Sequence, residues 1–210
     1  MARYKNWQNV PMAAPVTGAV WILPDVKPKF HEKSFGTGRP SGCSVGTCKR
    51  WHAGVDLLNA PTDTVVVAPN DGQIIRDNAG WQGEVRAIYL RTNNYFIVMG
   101  GIRYNSAAYY DVYDGDYVKA GQPIGEVAEG YNMIHFELYD LEVNQNKPWF
   151  IENPVPTGLL NPTEYVKVMA GQQSDWKKPP KKTGAYSSKI SIFPLIMVAG
   201  IAYFVMKSNK

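Results

Sequence analysis

The sequence has few of the residues that most often bind metals. Its 210 residues include three histidines and two cysteines, and only 19% of the residues are charged. With no further Cys or His cluster, the two cysteines do not make a zinc ribbon. A hydrophobic fraction of 45% is ordinary for a folded protein, so the composition argues against a disordered or fibrous chain and predicts a packed core.

The body of the chain also lacks an excess of positive charge. The formal net charge is +4, but residues 171–210 hold seven lysines and one acid, a net charge of +6, so the remaining 170 residues sum to −2. A protein whose basic excess is confined to a terminal tail has no basic face for a phosphate backbone. We therefore predict no nucleic-acid partner.

Long apolar runs are missing at one end of the sequence and present at the other. The first 20 residues contain no apolar run long enough for a signal peptide, so Sec-type export is not predicted. Residues 190–206 form 17 uncharged residues between Lys189 and Lys207. As a helix they cover about 25 Å, close to the ~30 Å of a hydrocarbon core when the flanking lysines snorkel. We predict a C-terminal transmembrane helix; the alternative is a buried core helix.

A basic segment precedes this predicted span. Residues 174–189 combine a proline pair with like charges and are predicted to be a linker. Five lysines lie before the span and two after it. The positive-inside rule therefore places the folded part on the cytoplasmic side.

Between the two ends, helical periodicity is almost absent. Short β-rich apolar clusters alternate with turn sequences such as PNDG, DGD and AGQP, which predicts an antiparallel, mainly β domain. The clusters are Thr64 to Ala68, Gln73 to Arg76, Val85 to Leu90, Tyr95 to Met99, Tyr117 to Val118, Ile124 to Val127 and Ile134 to Leu138.

One helix is predicted late in the chain. Asn161 offers an N-cap and Pro162 suits a first turn, so we expect a helix from there to about Met169. The predicted organisation is an N-terminal extension at 1–28, a β domain at 29–161, a short helix and tail at 162–173, the linker at 174–189 and the transmembrane helix at 190–206.

Two of the three histidines stand in sequences that are typical of metal sites. His52 lies in WHAGVD, four residues before Asp56, and His135 lies in MIHFE. Two imidazoles and one carboxylate form a three-ligand zinc set whose fourth position stays open, as in catalytic sites. On spacing alone, hydrogen-bonded core or surface histidines are the alternative.

Four segments follow one another in the order of a known family: GTGRP, then KRWHAGVDLLNAPTDTVVVAPNDGQI, then DYVKAGQPIGEV, then IHFELYD. Over roughly residues 33–140 the sequence resembles the lysostaphin-type (LytM-type) zinc endopeptidases, peptidase family M23. The resemblance implies a lysostaphin-type (duplicated hybrid motif) antiparallel β domain. It also implies one Zn²⁺ ion held by His52, Asp56 and His135, and hydrolysis of peptides in bacterial peptidoglycan.

The sequence departs from this family where its general acid/base residues are expected. Met133 replaces the first histidine of the family's HxH segment, and a thioether neither transfers a proton nor donates a hydrogen bond. The family's other non-ligand histidine has no counterpart in SAAYYDVYD. Tyr109, Tyr110 or Asp111 are candidate substitutes, and tyrosines that merely pack on the sheet are the alternative. The resemblance therefore leaves turnover open.

For Glu137, His31 and the two cysteines, which lie near these motifs, more than one interpretation is open. Glu137 shares a strand face with His135, so it is predicted to orient that ligand, or else is an ordinary strand carboxylate. His31 is interpreted as a surface loop residue, with a replacement acid or a masking fourth ligand as the alternative. Cys43 and Cys48 are compatible with a local disulfide or with reduced thiols, and their spacing does not decide between them.

Aromatic residues accompany the predicted groove. About half of them are expected to belong to the core, and the others to contact a peptide or glycan strand. They are Trp51, Trp81, Tyr95, Tyr104, Tyr109, Tyr110 and Tyr131.

These observations predict a membrane-anchored zinc endopeptidase-like protein directed at peptidoglycan peptides. The alternative is a catalytically impaired relative that keeps the fold to bind cell wall or to serve a structural role. The segments APNDGQI and VKAGQPIG also resemble parts of lipoyl and biotinyl carrier domains. A carrier function is not predicted, because no lysine stands at a hairpin tip between these segments. The wall lies outside the membrane, while the chain has no predicted signal and its folded part is predicted on the cytoplasmic side. One hypothesis that reconciles these expectations is residence in the internal membrane of a bacteriophage virion, and the alternative is export by an unrecognised route.

Overall fold

The computed structural model describes residues 9–39, 50–150 and 152–172. Cys43, Cys48, the predicted linker at 174–189 and the predicted span at 190–206 lie outside the described residues. Within the described ranges, no helix is both long and apolar enough to cross a membrane.

The described chain is built mainly from strands. The strands are β1 (Gly38–Arg39), β2 (Arg50–Trp51), β3 (Val55–Leu58), β4 (Val65–Val67), β5 (Gly72–Gln82), β6 (Val85–Thr92), β7 (Phe96–Ile102), β8 (Tyr117–Val118), β9 (Pro123–Glu126), β10 (Met133–Tyr139) and β11 (Leu159–Leu160). A 3-10 helix covers Ser106–Tyr110, and the α-helix α1 covers Thr163–Gly171.

Seven of these strands form one antiparallel sheet. Its order is β11-β10-β7-β6-β5-β8, and β3 pairs with β10 beside that path. Every residue of β7 is buried, because both faces of this central strand are covered. Two further antiparallel pairs, β1-β2 and β4-β9, flank the sheet. The prediction of a mainly antiparallel β fold is confirmed, with each predicted apolar cluster falling on or within one residue of a strand.

The N-terminal segment and α1 complete the core. Trp21, Ile22 and Leu23 are almost completely buried, and the Val67 N–H donates a hydrogen bond to the Ile22 carbonyl at 3.0 Å. On α1, the Tyr165 ring stacks on Phe136 of β10 with centroids 5.8 Å apart. Since side chains alternate along a strand, α1 covers the Phe136 side of β10 and leaves the His135 side for the site.

The late helix begins within two residues of its predicted start. Its first residue is Thr163, and the Asn161 side-chain oxygen accepts a hydrogen bond from the Thr163 N–H at 3.1 Å. This contact supplies an acceptor to one of the N–H groups that have no partner within the first turn.

Candidate metal centre

Strand pairing brings two of the predicted ligands together. His135 of β10 lies directly opposite Asp56 of β3 in the antiparallel register, so their side chains leave the sheet on the same face. His52 lies in the short connection between β2 and β3, four residues before Asp56. The three residues are each at most 8% exposed.

The polar atoms of these three side chains converge on one point. His52 Nε2 lies 3.1 Å from Asp56 Oδ1 and 2.9 Å from His135 Nδ1. His135 Nδ1 lies 2.9 Å from the same Asp56 oxygen. Two nitrogens and a carboxylate oxygen therefore form a compact donor set, which we call the His-Asp-His cluster. It is the one group of three potential ligands of this kind among the described residues.

The remaining nitrogen of each imidazole has its own partner. His52 Nδ1 lies 2.9 Å from the Ser34 carbonyl oxygen, and His135 Nε2 lies 2.9 Å from Glu137 Oε1. A carbonyl oxygen only accepts hydrogen bonds, so His52 Nδ1 carries the hydrogen and the lone pair of Nε2 faces the cluster. Tyr139 O–H donates to the other Glu137 oxygen at 2.9 Å. Glu137 thus contacts the His135 nitrogen that points away from the cluster.

A glycine makes room for the His135 ring. A Cβ atom at Gly54 would lie 2.4 Å from the Phe136 carbonyl oxygen and 2.8 Å from His135 Nε2. No side chain fits there without moving β10 or the imidazole. The small residue in the WHAGVD segment is therefore part of how the cluster is assembled.

The electrostatics of the cluster favour a positive charge at its centre. Burial opposes ionisation of Asp56, but hydrogen bonds from His135 and His52 outweigh burial and hold the pKa of Asp56 well below its usual range. Burial also opposes the charged form of His135, but hydrogen bonds to Asp56 and Glu137 raise the pKa of His135 to about 9. Two buried carboxylates therefore face two imidazoles, an arrangement that a proton or a metal cation stabilises.

A cavity of about 620 Å³ opens onto the cluster. Its wall combines the cluster with aromatic, amide and basic side chains. It is lined by Arg50, Trp51, His52, Ala53, Asp56, Gly80, Trp81, Gln82, Tyr131, Met133, His135, Glu137, Asn146, Lys147, Pro148 and Trp149.

The substitutes proposed for the missing histidines lie elsewhere. Tyr109 and Tyr110 belong to the 3-10 helix, and neither they nor Asp111 line this cavity. Tyr110 O–H donates to the buried Glu126 Oε1 at 2.8 Å, and burial together with this carboxylate raises the pKa of Tyr110. Its contact is therefore structural. His31 is exposed on a loop, also outside the cavity lining.

Trp81 and Tyr131 are two of the three cavity residues, with Trp51, that the sequence named only as aromatics near the groove. Trp81 lies beside His135 with ring centroids 5.3 Å apart, and its indole N–H donates to the Tyr131 oxygen at 2.9 Å. The signal for them is the glycine pair Gly100-Gly101 in β7, which leaves space for both rings. Ser34 has no sequence signal, because it acts through its backbone carbonyl.

Comparison with known families gives one match. A model described as Peptidase family M23 matches residues 50–148. The matched region contains the whole His-Asp-His cluster. Curated protein sequences give no match to the chain.

Several solved structures match part of the chain. The catalytic domain of lysostaphin, an antimicrobial peptidase from Staphylococcus simulans, is 25% identical over 67% of this chain and 92% of that chain, with a TM-score of 0.47. Lysostaphin itself is 23% identical over 81% of this chain and 62% of that chain, with a TM-score of 0.49. A mutant catalytic domain of the prophage-encoded M23 protein EnpA from Enterococcus faecalis is 21% identical over 67% and 95%, with a TM-score of 0.40.

Proposed function

We propose that residues 50–148, which match the model of peptidase family M23, form a zinc-dependent peptidase directed at peptides of bacterial peptidoglycan. The observation that carries the proposal is the convergence of His52 Nε2, Asp56 Oδ1 and His135 Nδ1 within 4.8 Å of one another at a cavity.

The donor set fits zinc. Two neutral imidazole nitrogens and one carboxylate oxygen are ligands that Zn²⁺ prefers, and three protein ligands leave a place for substrate chemistry. Both imidazoles are held by a second contact through their other nitrogen, which is typical of metal-binding histidines. When bound, zinc supplies a Lewis acid that polarises the scissile carbonyl.

The chain's own residues orient and enclose the reacting peptide. Ser34 and Glu137 hold the two imidazoles in place. Trp51, Trp81 and Trp149 provide apolar walls to the cavity, which exclude bulk water from the cluster and strengthen electrostatic contacts within it. An extended peptide that lies along this cavity brings one carbonyl to the cluster.

Amine release from purified peptidoglycan tests this activity. We expect the full-length protein to release new amino groups, to lose this activity after removal of zinc with a chelator, and to recover it when zinc is added back. His52→Ala removes one ligand and should abolish release, whereas His31→Ala removes an exposed histidine outside the cavity and should not. Release that persists in His52→Ala contradicts the proposal.

The presence of Met133 favours a second candidate function. Met133 lines the cavity on the same strand face as His135, and its thioether provides no general acid or base. The domain would then bind peptidoglycan without cutting it. Co-sedimentation with intact peptidoglycan, with bound zinc and no amine release, identifies this case.

We further propose that residues 190–206 anchor the protein in a lipid membrane. The support is 17 uncharged residues between lysines, long enough to span most of a hydrocarbon core. Co-flotation of the full-length chain with lipid vesicles, and loss of flotation in a chain that ends at Gln173, is the expected result. Equal flotation of both contradicts the anchor.

Residence in the internal membrane of a bacteriophage virion stays a prediction of the sequence. This prediction is tested by adding protease to intact spheroplasts of a bacterium that produces the full-length protein. The prediction requires that the folded domain is protected. Cleavage of the domain from the periplasmic face contradicts it.

A further inference from the structure

We infer that Tyr139 is a positioning residue for the proposed metal ligand His135, and that it acts through Glu137. The inference deepens the proposed zinc site and rests on the proposed function. It concerns a residue outside the cavity lining, one contact further from the cluster than Glu137.

A row of alternate residues on β10 leads away from the cluster into the interior. Side chains two residues apart on a strand share a face, so His135, Glu137 and Tyr139 lie on one side of β10. Their exposed fractions fall along the strand from 8% to 4% to 1%. Tyr139 is therefore the most deeply buried member of this row.

Packing fixes the ring of Tyr139 independently of its hydroxyl group. Tyr139 pairs with Phe96 of β7 on one side and with Leu159 of β11 on the other. Its ring centroid lies 6.3 Å from that of Phe96. Because these contacts involve the backbone and the ring, a variant that removes only the hydroxyl group keeps them.

The contacts of the Tyr139 hydroxyl group fix the direction of its hydrogen. Its oxygen accepts a long hydrogen bond from the Lys147 backbone N–H at 3.5 Å, and its hydrogen is donated to Glu137 Oε2 at 2.9 Å. A backbone N–H only donates and a carboxylate only accepts. Both contacts therefore require the same orientation, with the O–H bond directed at Glu137.

This hydrogen bond restrains the Glu137 carboxylate that holds His135. The second oxygen, Glu137 Oε1, lies 2.9 Å from His135 Nε2, so the carboxylate cannot turn without losing one of its two partners. Since the carboxylate only accepts, Nε2 of the neutral imidazole carries the hydrogen and Nδ1 presents its lone pair to the cluster. This is the form in which a histidine binds a metal ion.

A second buried tyrosine provides a matched control. Tyr89 O–H donates to Asn146 Oδ1 at 2.7 Å, and Asn146 and Lys147 are neighbours in the cavity wall. Both tyrosines thus contact the same wall segment, but Tyr139 donates to Glu137 whereas Tyr89 donates to an amide. Tyr89→Phe therefore removes the same chemical group as Tyr139→Phe and deprives a different acceptor.

The zinc affinity of the full-length protein, measured by competition with a chromophoric chelator, tests the inference. A direct partner of a metal-binding histidine contributes about 10- to 100-fold, and Tyr139 lies one contact further out, so we expect Tyr139→Phe to weaken zinc binding about three- to tenfold. Tyr89→Phe should leave the affinity unchanged. Unchanged affinity in Tyr139→Phe, or an equal loss in both variants, overturns the inference.

A double-mutant cycle separates a positioning role from a general loss of stability. If Tyr139 acts through Glu137, Tyr139→Phe should weaken zinc binding less in the Glu137→Gln background than in the wild-type protein, whereas independent effects add. Equal losses in both backgrounds overturn the inference. For a variant that is less stable, the rise in Tm on addition of zinc, relative to the same zinc-free protein, gives the same comparison.

These measurements do not depend on turnover. Wild-type protein that binds zinc but releases no amine contradicts the proposed activity alone, and the zinc affinities of the variants still decide the role of Tyr139. Wild-type protein that binds no zinc contradicts both.

Discussion

At the residue scale, the cluster depends on what the second ring nitrogen of each histidine contacts. His52 and His135 each have one ring nitrogen in the cluster and the other on an oxygen, from Ser34 and Glu137 respectively. These outer contacts fix the tautomers and raise the basicity of the ligands. The three residues of the cluster could be predicted from WHAGVD and MIHFE, because their types and order carry the signal. Ser34 could not, because any residue offers the same carbonyl.

Glu137→Gln is expected to weaken zinc binding about 10- to 100-fold, the usual effect of changing a partner of a metal-binding histidine. The amide keeps the shape of the side chain but removes the negative charge that holds His135. Competition with a chromophoric chelator measures the affinity. Glu129→Gln, at an exposed carboxylate, serves as control, and equal affinities in the two variants contradict a role for Glu137.

Met133→His is expected to raise amine release from peptidoglycan by at least about tenfold, because a positioned general acid or base contributes about 10²- to 10⁴-fold. The new imidazole would lie on the cavity face of β10, two residues before His135. Met133→Leu has a similar volume without an imidazole and should show no gain. An unchanged rate in folded, zinc-loaded Met133→His shows that Met133 is not the limiting defect.

At the element scale, the pairing of β3 with β10 assembles the cluster. Asp56 and His135 are opposite each other, so a slip of one residue would send one of them to the other face of the sheet. The strands themselves follow from short β-rich runs between turn sequences. Which strands pair could not be derived from those runs, because register is decided by side-chain packing between distant segments, such as the contact of Phe136 with Tyr165.

Gly54→Ala tests this assembly. The new methyl group would collide with the Phe136 carbonyl oxygen and the His135 ring, so we expect the free energy of unfolding to fall by about 1–3 kcal/mol and zinc binding to weaken. Urea denaturation and zinc titration measure both effects. Gly80→Ala adds a methyl group with nothing within 4 Å, and a loss as large as that of Gly54→Ala would contradict the steric explanation.

An acidic pair at the middle of β5, formed by Asp77 and Asp114, should make stability depend on pH. The Asp77 N–H donates to Asp114 Oδ1 at 2.7 Å, and burial together with the Asp114 carboxylate raises the pKa of Asp77 to about 6. A carboxyl group whose pKa is raised on folding stabilises the fold below about pH 4, and that contribution is lost as the pH rises through 6.

Asp77→Asn should therefore raise the free energy of unfolding at pH 7.5 by about 1 kcal/mol, a value reduced for the partial exposure of the carboxyl group. At pH 4 the variant and the wild-type protein should differ little. Urea denaturation at both pH values checks this. Glu84→Gln, whose side chain is 97% exposed, should show no such difference, and a gain of equal size at both pH values contradicts the titration of Asp77.

At the scale of the whole molecule, the sheet has different cover on its two faces. Residues 10–23 and α1 contribute Trp21, Tyr165 and Met169 to the core, while the opposite side of β10 carries the cluster and its cavity. The mainly β class and the late helix could be predicted from turn sequences and a capping pattern. The burial of Trp21 could not, because the N-terminal segment has no periodicity and gains its structure from contacts with distant strands.

The central claim is that His52, Asp56 and His135 hold one zinc ion. Elemental analysis of the purified full-length chain, beside His52→Ala, Asp56→Ala, His135→Ala and the exposed control His31→Ala, tests it most directly. We predict one zinc ion per chain in the wild-type protein and in His31→Ala, and a large loss in each of the three ligand variants. A wild-type chain without zinc, or ligand variants that keep a full equivalent, would contradict this claim.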